Sequence, residues 1–249
     1  MERDLPKMKK PLLLSLLFLF LLLVPVTAFP QSAQSQVMIS HHITGGGSAP
    51  VFDAATTSTN VTSFSHTCTG SNRFLLVSIS SDAGGGTTWT AATYNSVSMT
   101  LVDTLNNATD GANVRITVYS LIAPASGSNT VAVTRTGPPA NFIVIAASFT
   151  GVNQTTPLGT SVTGSGTTAT QPSVTVTSGA SELVYDAIAT LNSNADTFTA
   201  GSGQTKRASA DDAGNVGGAT STEAGAASVV MDWSSPTRYW SSLGVSIKP

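Results

Sequence analysis

The chain has 249 residues, of which 41% are hydrophobic and only 10% charged, with a formal net charge of −2. Beyond residue 28, 7 Lys and Arg face 11 Asp and Glu, a net charge of −4 with no basic cluster. This balance excludes the electrostatic footprint of a nucleic-acid binder. The single cysteine, Cys68, excludes an internal disulfide framework and a cysteine zinc site.

The N-terminus reads as an address. Lys7, Lys9 and Lys10 precede the apolar run PLLLSLLFLFLLLV (residues 11–24), and Val26 and Ala28 then have the small-residue spacing of a signal-peptidase site. Basic, apolar and small-residue regions in that order describe a secretory signal over residues 1–28, with cleavage expected after Ala28. The competing reading is an uncleaved anchor, for which the apolar run is near the lower length limit. Residues 29–50 are rich in Gln, Ser, Gly and Pro and read as a tether, with Val37–Ile39 as a short edge strand. The tether holds the pair His41-His42, two ligands with nothing to position them.

From Val51 onward the apolar period is two. Val61–Cys68 alternates, and Arg73–Ser80 begins apolar on both faces, as a central strand does. Val97, Met99 and Leu101 share a face. Val114, Ile116 and Val118 do so again, with Arg115 and Thr117 expected toward solvent. Val131 and Val133 follow, then the nearly continuous Phe142–Phe149, and later Val174 and Val176, Leu183–Ala189, Ser228–Trp233 and Tyr239–Ile247. Thr and Val dominate these runs, as strand propensity favours. Turn clusters separate them, among them Asn106–Ala112, Gly137-Pro138-Pro139 and Gly214–Gly218. Ala187–Ala195 is the best helical candidate and reads better as a strand entering a loop. No fixed-period repeat is evident, which argues against a propeller or solenoid. The expected architecture is all-β: residues 51–249 as an antiparallel two-sheet sandwich, jelly-roll-like.

Phe64-Ser65-His66-Thr67, Asn72–Val77, Met99–Val102, Phe149–Pro157, Glu182-Leu183-Val184 and the closing Gly244–Pro249 form a set. Together they resemble a β-sandwich module of exported bacterial proteins of unassigned function. The resemblance spans residues 51–249 and implies export and a modular extracellular role. It supplies no catalytic residues.

Hydrolase motifs are absent from the sequence: no G-x-S-x-G, no H-E-x-x-H and no P-loop. His66 and Cys68 share a strand face, which permits a thiol–imidazole pair; a buried apolar thiol is the ordinary alternative. Paired carboxylates are the sandwich enzyme's tool for glycosides. Glu182 and Asp186 lie on one face, but roughly 13 Å apart along a strand, too far for either glycosidase mechanism. Asp232 would have to come from another strand. Calcium suits acidic, carbonyl-rich loops, and Asp82, Asp110, Asp211 and Asp212 are the candidate ligands. Trp89, Tyr94, Trp233, Tyr239 and Trp240 are candidates for stacking on a sugar. Trp89 and Tyr94, five apart, should face opposite ways by parity. The expected role is an exported non-enzymatic module that is structural, adhesive or ligand-binding, with carbohydrate as the ligand considered, partnered with an extracellular polysaccharide or cell-surface component. It would use no cofactor beyond a structural calcium, bind no nucleic acid, and leave the membrane once the signal is cleaved. The alternative is a glycoside hydrolase or lyase on a sandwich scaffold.

Overall fold

Strict alternation leaves every strand with one face that must be buried, and the chain solves this by stacking sheets. The computed structural model describes residues 48–138, 140–167, 171–191, 198–234 and 239–249. The signal, almost all of the tether, His41-His42 and Val37–Ile39 lie outside the described residues, as does the end of the helical candidate. Its beginning, Ala187–Leu191, is strand.

Nine strands form the first half: β1 (Val51–Thr59), β2 (Ser63–Cys68), β3 (Phe74–Asp82), β4 (Thr88–Tyr94), β5 (Val97–Ser98), β6 (Thr100–Asn107), β7 (Val114–Ile122), β8 (Gly127–Thr136) and β9 (Phe142–Thr150). An inner sheet has the order β1-β9-β3-β7-β6, and an outer sheet the order β2-β8-β4-β5. Successive strands alternate between the two except at the hairpins β4–β5, both outer, and β6–β7, both inner, which is the jelly-roll pattern. Asn95 and Ser96, both at positive φ, make the two-residue turn of the β4–β5 hairpin.

The same arrangement is then built again. The strands are β10 (Val162–Gly166), β11 (Ser173–Val176), β12 (Leu183–Leu191), β13 (Thr199–Ala200), β14 (Thr205–Asp211), β15 (Val216–Ala224), β16 (Val229–Ser234) and β17 (Trp240–Ile247). Their inner sheet runs β10-β17-β12-β15-β14 and their outer sheet β11-β16-β13. Strand for strand, β10, β17, β12, β15 and β14 occupy the places of β1, β9, β3, β7 and β6. The expected sandwich is therefore present twice, and all named pairings are antiparallel.

The two inner sheets pack on one another, so β3, β7 and β9 are covered on both faces. Phe74, Leu76, Val114, Ile116, Val118 and Phe149 meet Tyr185, Ala187, Leu243 and Val245 across this seam. On its other face the first inner sheet sets Leu75, Val77, Ile79 and Val144 against Trp89, Tyr94, Val131 and Val133. Phe74, Leu76, Val114, Ile116, Val118, Val144 and Phe149, expected in the core from periodicity, are all buried, whereas Val97 and Leu101, read onto one apolar face with Met99, are exposed. Polar groups also cross the seam: Ser80 Oγ donates to the Ile188 carbonyl at 3.0 Å, Ser241 Oγ to that of Val114 at 2.8 Å, and Asn107 Nδ2 to those of Gly166 and Trp240. Gly218 sits beside Ser80, where a β-carbon would come within 2.6 Å of its hydroxyl.

One expectation is corrected here. Thr117 is 1% exposed, and its hydroxyl lies 2.8 Å from that of Thr104. Arg115 is half-buried, with its guanidinium donating to Thr88 Oγ1 at 3.1 Å. Both face the outer sheet rather than solvent, because an outer layer covers the side of β7 that alternation alone leaves open.

The long edge strands of the inner sheets are protected by irregularity and charge. Register shifts fall at Phe52/Ala54 in β1, Leu101/Asp103 in β6 and Lys206/Ala208 in β14. Asp53, Asp103, Lys206 and Arg207 sit at these bulges. A bulge plus a charge prevents a foreign strand from adding to the edge.

Candidate functional site

The five aromatic candidates do not form a platform. Trp89, Tyr94, Trp233 and Trp240 are at most 5% exposed, and Tyr239 is half-buried. Trp89 packs edge-on against Phe142 at 4.8 Å and donates its indole N–H to Ser81 Oγ at 3.0 Å. Tyr94 donates to the carbonyls of Gly127 at 3.0 Å and His66 at 3.2 Å. Trp89 and Tyr94 both point inward, against the parity expectation. The register shift between Trp89 and Ala91 adds one residue to β4 and restores a common face. Trp233 and Trp240 lie in one cluster with Ile188, Phe198 and Ala219. The Tyr239 hydroxyl reaches Asp110 Oδ2 at 3.5 Å. Stacking on a sugar needs an exposed ring face, and burial removes it from the four most buried rings.

The four loop carboxylates are dispersed over turns and satisfied locally. Asp82 Oδ1 accepts the Gly84 N–H at 2.8 Å, and Asp211 Oδ1 that of Ala213 at 2.9 Å. Asp212 Oδ1 accepts the N–H groups of Asn215 at 3.0 Å and Val216 at 2.8 Å. These are turn-forming contacts of the kind Asp makes with its own backbone. Asp110 holds a left-handed φ of 52° in a short 3-10 turn. Among the described residues no three His, Cys, Asp or Glu side chains come together as a metal site.

The carboxylates on strands are more informative. Asp186 is fully buried between β12 and the outer sheet. Trp233 Nε1 donates to its Oδ2 at 2.6 Å, and Ser221 Oγ to its Oδ1 at 2.5 Å. Burial pushes the Asp186 carboxyl up to about 7, against the opposing pull of Ser221 and Trp233. Asp232, which sequence reasoning left unlinked, is connected to it: Gln204 Nε2 donates to Ser221 Oγ at 2.7 Å, and Gln204 Oε1 accepts the Asp232 N–H at 2.8 Å. Asp232 Oδ2 accepts Gln171 Nε2 at 3.0 Å. Glu223, half-buried on β15, is raised by burial and by the Asp232 charge. Glu182 lies outside this group; its N–H closes a turn onto the Gly179 carbonyl at 3.0 Å. Asp186 has the raised affinity for a proton that a general acid needs, but it is sealed from any substrate by Trp233 and Ser221.

His66 and Cys68 both point into the first sandwich and are at most 1% exposed. His66 Nδ1 lies 3.0 Å from Thr56 Oγ1. Burial pushes the Cys68 thiol up, away from the thiolate that nucleophilic chemistry requires. Beside them, Asp53 accepts the N–H of Thr69 at 2.8 Å and the hydroxyl of Ser148 at 2.8 Å. Desolvation opposes ionisation of Asp53, yet these bonds hold its carboxyl below the ordinary value.

Two open surfaces among the described residues carry polar groups without charge. A cleft of about 490 Å³ lies where β6 and β7 meet the segment joining the sandwiches, lined by Thr100, Ser120, Leu121, Ile122, Thr156, Pro157 and Leu158. Its polar groups are hydroxyls. The second surface is the outer face of β2-β8-β4. Its outward positions are Ser63, Ser65 and Thr67; Ser128, Thr130, Ala132, Thr134 and Thr136; and Thr88, Thr90, Ala91 and Thr93. None is charged. Sequence reasoning passed over this face because Thr and Ser there serve equally well as ordinary strand formers. No family model, curated protein or solved structure matches the chain.

Proposed function

We propose that this chain is an exported, non-enzymatic module that adheres to extracellular carbohydrate through the hydroxyl-lined outer face of its first sandwich. The observation that supports the reading most directly is that face: Ser65, Thr67, Ser128, Thr130, Thr134 and Thr136 are exposed on adjacent paired strands with no charge among them. Hydroxyls one strand spacing apart offer both donors and acceptors to a polyol, and methyl groups between them offer apolar contact. The absence of charge removes the desolvation cost that lysine or glutamate would impose on a neutral partner.

The groups that would have supported catalysis are engaged elsewhere. Asp186 holds two sheets together, Cys68 is a buried thiol, and His66 is enclosed. The reading invokes no cofactor. Export follows from the signal-like residues 1–28, with Phe29 as the mature N-terminus, and agrees with the resemblance to exported β-sandwich modules.

The test is cosedimentation of the secreted chain with insoluble cellulose, chitin and peptidoglycan, with reducing-sugar release followed in the same tubes. Binding to at least one, weakened by Thr130→Lys and Thr134→Lys, supports the proposal. Binding that these substitutions leave unchanged, or release of sugar by the chain, overturns it.

A further inference from the structure

In each sandwich a buried group that titrates within a few pH units of neutrality bridges the inner and outer sheets, and the two are of opposite kind: His66 in the first and Asp186 in the second. In the first, His66 on outer β2 meets Thr56 on inner β1 at 3.0 Å, and its Nε2 is buried with no hydrogen-bond partner among the described residues. In the second, Asp186 on inner β12 meets Trp233 on outer β16 at 2.6 Å, with Ser221 on β15 completing its bonds. We propose that the fold carries two pH-responsive clasps of opposite sense: protonation of His66 loosens β2 from β1, and ionisation of Asp186 loosens β16 from β12.

The reason is one of unmet demand. A neutral imidazole at position 66 leaves one nitrogen unsatisfied, whereas an imidazolium must bury a charge and a second N–H donor without an acceptor. The groups facing His66 are Asp53 from β1 and the Tyr94 ring from β4, edge-on at 6.4 Å, with Cys68 two residues along on the same strand face. Asp53 attracts a proton to His66, but its oxygens are committed to Thr69 and Ser148, and burial outweighs it. Asp186 faces a like charge, Asp232 on β16, and among the described residues no cation is coupled to it. The nearest lysine on β14, Lys206, directs its amine to the Phe198 carbonyl at 2.8 Å. Glu223 on β15 adds a third carboxylate to the same region, and the Tyr185 hydroxyl lies on the opposite face of β12. Among the described residues, an ionised Asp186 therefore has two donors and no counter-charge.

The signs follow by linkage. His66 is depressed by burial from its ordinary 6.5, so the first clasp is intact at neutral pH and is lost as the pH falls below that value. Asp186 is raised by burial to about 7, so the stability that its protonated form lends the second clasp is complete below the ordinary carboxylate value of 3.8 and is lost as the pH rises through about 7.

Hydrogen–deuterium exchange of the secreted chain between pH 5 and pH 9 tests this, read as protection factors for individual strands. Between pH 7 and pH 5, β2 should lose protection by about tenfold relative to β12; between pH 6 and pH 9, β16 should lose about tenfold relative to β3. His66→Gln should abolish only the acid effect. Asp186→Asn, whose amide mimics the protonated acid by donating to Ser221 and accepting from Trp233, should abolish only the alkaline one. If β2 and β16 keep constant relative protection in the unsubstituted protein, the proposal fails even without the variants. It fails also if a folded variant retains the effect assigned to its residue.

Discussion

Trp233 Nε1 lies 2.6 Å from Asp186 Oδ2 and ties the outer sheet of the second sandwich to its inner sheet. A buried carboxyl and a buried indole each need a partner, and each is the other's. Trp233→Phe keeps most of the ring's packing against Phe198 and removes the donor. It should cost about 1–3 kcal/mol. The loss should be greater at pH 8 than at pH 6, because Trp233 holds the buried acid's proton affinity down, and its removal raises that affinity further and so steepens the loss of stability as the pH rises. Chemical denaturation at the two pH values measures this.

Ile116 and Thr117 are neighbours on β7 that point to different cores. Ile116→Ala opens a cavity in the seam between the sandwiches and should cost about 2–5 kcal/mol. If Thr117 faced water, Thr117→Ala would cost within roughly half a kcal/mol. Buried against Thr104, it should instead cost about 1–2 kcal/mol. Equilibrium denaturation of the two variants gives both values, and the Thr117 result distinguishes a covered strand face from an open one.

The Arg207 guanidinium lies 4.4 Å from the centre of the Phe52 ring, while its Nε donates to Thr222 Oγ1 at 2.8 Å. This contact joins the edge strands β14 and β1 of the two inner sheets. Arg207→Ala should cost about 1 kcal/mol, and Arg207→Lys should recover little of it, since a lysine lacks the planar group that both stacks and donates. A double-mutant cycle with Phe52→Leu should show a coupling of about 0.5–1 kcal/mol.

On the outer face of the first sandwich, Thr130 and Thr134 are exposed, with Val131 and Val133 beside them in the core. Thr130→Lys and Thr134→Lys should leave stability within about 0.5 kcal/mol of the parent while reducing retention on polysaccharide. Thermal denaturation beside cosedimentation separates a lost surface from a lost fold.

Much of this was legible in the chain itself. Strand positions follow from period-two alternation because a half-buried strand requires it, and turn residues mark where it stops. Val114, Ile116 and Val118 announce one buried face wherever the partner sheet comes from. The doubling of the sandwich was hidden, because matching strands such as β3 and β12 need to share only pattern and place. The inward turn of both Trp89 and Tyr94 was hidden too, since one bulged residue reverses parity and leaves no mark in composition. Asp186 and Asp232 could not be linked by spacing, as Ser221 and Gln204 stand between them.

What the amino-acid order determined by itself was local: which residues are extended, where the chain turns, and which side of each strand rejects water. Whether the other side also loses water was decided only in the tertiary structure, through the stacking of four sheets. That stacking buries Thr117, encloses the aromatic rings and places a carboxyl beneath Trp233, because burial depends on what a face meets and not only on what the face is made of.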